Sequence, residues 1–144
     1  MIPFELPVPN FNVRESSRGP EIWDRVRKQW VRIQPEEWVR QNFLNWMIEV
    51  QRVPQEYISV EKELSSISNK RYDILVFNRQ YQPWMIVECK SNDVALSERV
   101  LMQTLSYHLE IGVDYLIITN GNECHVADIK KANHPWLASF PSYE

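Results

Sequence analysis

The sequence predicts an α/β fold, a mixed β-sheet flanked by helices in the order αβββαβ, with a last strand closing the sheet. Three observations carry this. Residues 35–50 place apolar side chains at helical spacing behind a proline. Residues 72–77 and 84–89 are two short runs, rich in branched and aromatic residues, around a polar loop. The continuous apolar run DYLIIT at 114–119 follows a second helical stretch, which is the alternation expected of a sheet covered by helices.

Taken in order, residues 1–20 are rich in proline and read as an extended arm ending in a Gly19-Pro20 turn. Residues 21–31 set Ile22, Trp23, Val26 and Trp30 at helix-like spacing, with basic residues between them, and predict a short helix. Pro35 suits the first turn of the next helix, and Glu36 and Glu37 suit its positive end. That helix is expected to run to about Val50, with Val39, Phe43, Met47 and Val50 as its core stripe, flanked by Leu44, Trp46 and Ile48. Glu36 lies three residues before Val39, at the inner edge of the stripe. After a loop over 51–55, residues 57–64 alternate as a half-exposed edge strand does, and 65–70 form a polar loop. The hairpin over 71–90 comes next.

Residues 91–97 are a connection, and Ser97 caps a helix expected to reach about Ile111, with Gly112 as its stop. Leu101, Leu105 and Leu109 make one stripe of it, whereas Gln103 and Tyr107, four apart, share another face. Residues 114–119 read as a strand buried on both faces, Asn120-Gly121 as a turn, and 123–129 as a strand pairing back across it. The organisation is thus an arm (1–20), one domain (21–129) and a docked tail (130–144).

Composition narrows the class. A chain of 144 residues is enough for one domain with one core. No apolar run approaches the roughly 20 residues of a membrane span. The N-terminus lacks the basic region and apolar core of a signal peptide. Cys89 and Cys124 fit no zinc motif, so a reduced cytoplasmic setting is the default. His108, His125 and His134 are scattered and read as structural or surface residues. The net charge of −3 argues against tight, unaided nucleic-acid binding. Positive charge gathers instead in Arg25, Arg27, Lys28 and Arg32, while from Ser91 onward seven acids face three bases. Any DNA contact is therefore expected on the N-terminal side, with Arg25, Arg27 and Lys28 either touching phosphates or forming a solvated face. Arg71, at the start of the hairpin, is a further candidate contact.

The hairpin carries the chemistry. A turn at Gln80 and Tyr81 sets Asp73 opposite Glu88, and the pleat points Lys90 to the same side as Glu88. Two carboxylates placed opposite each other repel, and a divalent cation resolves the conflict. Mg²⁺ is typically held by one or two carboxylates plus phosphate and water. A lysine beside such a site orients or deprotonates an attacking water. A salt bridge among Asp73, Glu88 and Lys90 on an exposed strand face is the other reading of the same residues.

Asp73 followed by Glu88-Cys89-Lys90 resembles the Asp…Glu-x-Lys motif of the PD-(D/E)xK nuclease superfamily. Five blocks in order extend the likeness: PEEWVRQNF at 35–43, KRYDILVF at 70–77, VECK at 87–90, QTLSY at 103–107 and LIITNG at 116–121. Together they resemble the N-terminal nuclease domain of type I restriction enzyme R subunits, in particular short stand-alone bacterial proteins built from it, over residues 21–129. The turn at Arg52-Val53-Pro54 departs from the Gly-Tyr-Pro-like turn expected of such relatives, away from the site.

The resemblance implies a restriction-endonuclease-like core, DNA as substrate and Mg²⁺ as cofactor, with Mn²⁺ as a substitute. It places a first-helix glutamate near the metal, matched best by Glu36 and next by Glu37, and adds the backbone carbonyl of Cys89 to Asp73 and Glu88 as ligands. It also implies that Gln103 and Tyr107 lean toward the site and the DNA backbone. The expected activity is Mg²⁺-dependent DNA endonuclease, with Asp73, Glu88, Lys90 and Gln103 catalytic. The alternative is a non-cleaving nucleic-acid-binding or assembly module that works only with partner restriction or helicase subunits. Type I R subunits drive their nuclease with an ATP motor, and this chain has no Walker-type loop. One site cuts one strand, so double-strand cleavage would call for a homodimer or two passes.

Overall fold

The computed structural model describes residues 1–63, 71–131 and 135–144, for 61–63 the backbone alone. Strands β1 (Val13–Ser16), β2 (Gly19–Asp24) and β3 (Gln29–Arg32) form a small antiparallel sheet in that order. Strands β4 (Ile58–Glu63), β5 (Arg71–Phe77), β6 (Pro83–Cys89), β7 (Tyr115–Thr119) and β8 (Cys124–Asp128) form the main sheet, also in chain order. All its pairs are antiparallel except β6–β7. A parallel pair needs a crossover, and helix α2 (Glu98–His108) provides it. Ser97 caps α2, accepting from the Val100 N–H at 3.3 Å.

The mixed α/β architecture expected from the sequence is present, with β4 at the edge. Helix α1 (Pro35–Glu49) has Pro35 in its first turn and covers one face of the main sheet. Its Val39, Phe43, Leu44 and Met47 pack with Ile74, Val76, Met85, Val87 and Ile117. On the other face Leu105 of α2 packs with Leu75, Ile86, Leu116 and Ile118. Side chains alternate along β5 and β6, so one strand feeds both layers. Both ends of the chain dock on the α1 side. Phe4 packs edge-on against Trp46 at 5.1 Å, Phe140 does so at 5.2 Å, and the Tyr143 hydroxyl donates to the Phe77 carbonyl at 2.8 Å. Among the described residues no helix is long and apolar enough to cross a membrane.

Three expectations fail. The short helix over 21–31 is instead the β2–β3 hairpin. Of Ile22, Trp23, Val26 and Trp30, spaced as in a helix, Ile22 lies opposite Val31 and Trp23 opposite Trp30 across the strands, and Val26 sits in the turn. The turn between them is fixed by Asp24, whose Oδ1 accepts from the backbone N–H of Val26 and Arg27, and by Lys28 in the left-handed region at φ 56°. Strand pairing also begins before residue 20: β1 lies within the expected arm, and Gly19 and Pro20 open β2. Finally, Val50 and Leu109 are half exposed, each being the residue just past its helix where the stripe has left the sheet. The polar loop at 65–70 and His134 lie outside the described residues.

Polar side chains hold the small sheet to α1. Asp24 is fully buried, and its Oδ2 accepts from Arg27 Nε at 2.7 Å and Gln41 Nε2 at 2.8 Å. Burial pushes its carboxyl up, but the hydrogen bonds from Arg27 and Gln41 outweigh this and hold it below the usual carboxylate value. Arg27 continues to Glu37 of α1 at 2.7 Å, and Arg25 reaches Glu49 at 2.9 Å. Asp24→Ala leaves a part-buried guanidinium and a buried amide short of an acceptor, so it is expected to cost about 3 kcal/mol in a urea melt. A loss below about 0.5 kcal/mol would mean that apolar packing alone docks the small sheet. Because the folded pKa is depressed, this stabilisation is present above the unfolded value of 3.8 and is lost as pH falls through the folded one.

Candidate active site

The site forms where β5 begins, β6 ends and the two helical layers meet. The two strands keep the expected register, with Ile74 opposite Val87, Leu75 opposite Ile86 and Val76 opposite Met85. One step further on that register stand Asp73 and Glu88, and there the ladder stops. Asp73 Oδ2 accepts from the Cys89 N–H at 2.7 Å, so a side chain takes the place of a backbone partner and is locked beside the β6 terminus. The hairpin loop departs by one residue, through a bulge at Val76/Phe77, without disturbing this end.

Each helical layer supplies one partner to the carboxylates. From α1, buried Arg40 reaches Asp73 Oδ1 at 3.2 Å and Glu37 Oε1 at 3.4 Å. From α2, His108, only 1% exposed, brings Nε2 to 3.5 Å from Glu88 Oε2. Lys90 Nζ lies 3.4 Å from Glu88 Oε1, and its own N–H donates to the Thr119 carbonyl at 2.8 Å, fixing the backbone that carries it.

The two carboxyls divide in their titration. Burial, the charge of Glu88 and that of Glu36 raise Asp73 to about 7, against the opposing pull of the Cys89 N–H and Arg40. Burial also raises Glu88, but the hydrogen bond from His108 and the charge of Lys90 prevail and hold it below the usual value. The two carboxyls titrate as a pair, with burial and mutual repulsion holding back the loss of its last proton. The thiols of Cys89 and Cys124 are buried and pushed well up by desolvation, so neither serves as a nucleophile.

Glu88, Lys90, Arg71, Gln103, Thr104, Tyr107 and His108 line one open groove of about 390 Å³. Of the residues expected from the sequence, Gln103, Tyr107 and Arg71 therefore do gather beside Glu88 and Lys90. A second groove, of about 500 Å³, runs between β3 and the start of α1, past Arg32, Glu36, Glu37 and Arg40. Glu36 is exposed and acts on Asp73 through its charge, whereas Glu37 is engaged with Arg27 and Arg40. Asp73 and Glu88 are the two carboxyls that stand together at this end of the sheet. Among the described residues no three His, Cys, Asp or Glu side chains are grouped so that they could hold a metal ion. Arg25 and Arg27, expected as phosphate contacts, point at Glu49, Asp24 and Glu37, and Lys28 stays exposed at the hairpin tip. A larger groove of about 510 Å³ lies under the C-terminal tail, around Trp84 and Tyr143, away from these carboxyls.

Residues 35–141 match the family described as type I restriction enzyme R protein N terminus. The chain belongs to that family. No curated protein matches it significantly. The R-protein match opens at α1 and takes in the whole main sheet, so every carboxylate of the site lies within it. The β1–β3 sheet precedes it.

Arg40 and His108 are site residues that the sequence reading missed. Arg40 lies next to Val39 on the inner side of α1, and a buried arginine there signals an acidic partner. His108 follows Leu105 by three residues, where Leu109 was expected to continue the stripe.

Proposed function

We propose that this R-protein N-terminal domain hydrolyses DNA phosphodiester bonds with a divalent cation. The observation that carries the reading is the grouping of Glu88 and Lys90 with Gln103, Tyr107 and Arg71 in one groove, with Asp73 locked beside them. Burial and the charge of Glu88 penalise the ionised Asp73, a penalty that a cation between the two carboxyls relieves, and Mg²⁺ needs only one or two carboxylates from the protein. Asp73 and Glu88 would hold it, with the Cys89 carbonyl as a further ligand, Glu36 acting through water, and Mn²⁺ able to substitute. When bound, the ion polarises the phosphate and lowers the pKa of its water.

The chain's own groups do the rest. Lys90 orients the attacking water and offsets the negative charge that develops on the phosphate oxygens. Gln103 positions the water or Lys90, and Tyr107 and Arg71 hold the DNA backbone, with exposed Lys28 a further phosphate contact. His108 and Arg40 fix the two carboxylates, so little reorganisation precedes reaction. The P–O bond to the leaving sugar breaks as the water oxygen attaches to phosphorus. In a second reading the module does not cut alone and acts with partner restriction or helicase subunits; the net charge of −3, which weakens unaided DNA binding, favours it.

Supercoiled plasmid separates the two readings. The purified protein is expected to nick it with Mg²⁺ or Mn²⁺ and not with chelator. Metal binding by calorimetry without nicking would support the partner-dependent module, and absence of both would leave Asp73, Glu88 and Lys90 as a salt bridge.

A further inference from the structure

The outer face of the small sheet has a composition that docking does not require. The pairings Arg14–Glu21, Glu21–Arg32 and Trp23–Trp30 put Arg14, Trp23, Trp30 and Arg32 on one face, while Ile22 and Asp24 turn inward and are fully buried. Two indoles thus stand side by side on the outside, in edge-to-face contact at 5.5 Å, with Trp23 36% exposed. The Arg14 guanidinium lies 4.3 Å from the Trp30 ring centre and is held by Glu21 at 2.8 Å. Residues 13–32 carry six bases (Arg14, Arg18, Arg25, Arg27, Lys28, Arg32) against three acids (Glu15, Glu21, Asp24) in a chain of net charge −3. Arg18, Lys28 and Arg32 are exposed on the same small sheet or its turns.

We infer that this face binds the unpaired bases of single-stranded nucleic acid. Trp23 is the stacking surface, Trp30 and Arg14 brace it, and Arg32 and Lys28 take phosphates. The inference rests on the nuclease reading for its direction. Arg32 belongs both to this face and to the groove that also holds Glu36 and Arg40, and Arg40 touches Asp73. Arg32 thus joins the indole face to the groove whose Arg40 meets Asp73. Exposed aromatics ringed by cations suit single strands, since every base offers a face to stack and every phosphate a charge. Bases inside a duplex are already stacked and cannot reach an indole. The sheet lies outside the segment matched to the R-protein family, so it adds a surface to the domain core.

Intrinsic tryptophan fluorescence, titrated with oligothymidylate in chelator, tests this without cleavage. Quenching is expected, with affinity about 10-fold weaker in Trp23→Ala and largely restored in Trp23→Phe. Arg32→Glu is expected to weaken binding and flatten its salt dependence, giving a check that does not touch the indoles. Duplex binding by Trp23→Ala is expected to equal that of the unaltered protein. Equal oligothymidylate affinity in Trp23→Ala and Arg32→Glu would overturn the inference, as would no binding by the unaltered protein. Loss of a co-purifying protein in these variants, with oligonucleotide affinity unchanged, would assign the face to a protein partner and overturn it too. Failure of the nuclease reading shows separately, as oligonucleotide binding without metal-dependent nicking.

Discussion

Lys90→Ala is expected to lower metal-dependent nicking by about 10²–10³-fold while barely changing stability. The two effects separate because Lys90 holds its place through its backbone, whose N–H donates to Thr119. The ammonium itself is 32% exposed and, among the described residues, makes one ion pair, with Glu88 at 3.4 Å. A pair of that exposure contributes about 0–1 kcal/mol, so the variant's melting temperature is expected within about 4 °C of the unaltered protein. If the lysine were only a surface salt-bridge partner, activity would be untouched. Lys90→Arg keeps the charge but replaces a compact ammonium with a planar fork, and an intermediate rate is expected. Nicking rates on supercoiled plasmid, compared at equal metal concentration, decide the matter. A Lys90→Ala protein that nicks at the full rate removes Lys90 from the chemistry.

The parts of the site that the sequence revealed are those with short-range causes. Strands β5 and β6 are joined by a short loop, so Asp73 and Glu88 come together by register, and the bulge near Phe77 does not reach them. Gln103 and Tyr107 share a groove with Glu88 because α2 follows β6 directly and its Ser97 cap fixes where it starts. What the sequence hid depends on distant contacts. Trp23 and Trp30 satisfy a helical repeat and a strand pair equally well, and a buried Asp24 bound to Gln41 of α1 makes the hairpin win. Arg25 and Arg27 read as a basic face until Glu37, Glu49 and Asp24 are seen to meet them. His108 looked like one of three unrelated histidines, yet ending α2 at that residue leaves its ring against Glu88. Two carboxylates from one hairpin are thus steadied by one residue from each helix, a division that no local pattern announces.

Asp73→Asn is expected to abolish cation binding and, without cation, to stabilise the protein above neutral pH. Asp73 is 14% exposed, and burial together with Glu88 raises its folded pKa to about 7 from an ordinary 3.8. Between these values the folded chain holds a proton that the unfolded chain has released. Stability therefore falls as pH rises through this window, and the cost is complete above about 7. A shift of that size corresponds to about 2–4 kcal/mol once sharing with Glu88 is allowed for. An amide carries no charge to desolvate, and its oxygen still accepts from the Cys89 N–H. Against this, Arg40 loses one carboxylate but keeps Glu37. The net expectation is a gain of about 1–2 kcal/mol at pH 8, or about 3–6 °C in melting temperature, shrinking toward zero near pH 4. Thermal unfolding in chelator at both pH values measures it. Added Mg²⁺ is expected to raise the melting temperature of the unaltered protein and leave Asp73→Asn unmoved, since a ligand stabilises only the state that binds it. If Asp73 serves chiefly as the counter-ion of buried Arg40, the sign reverses, and Asp73→Asn melts lower at pH 8 with or without the cation. A carboxylate that weakens its own fold unless a cation sits beside it is a ligand and not a structural ion-pair partner, and this pair of melts separates the two.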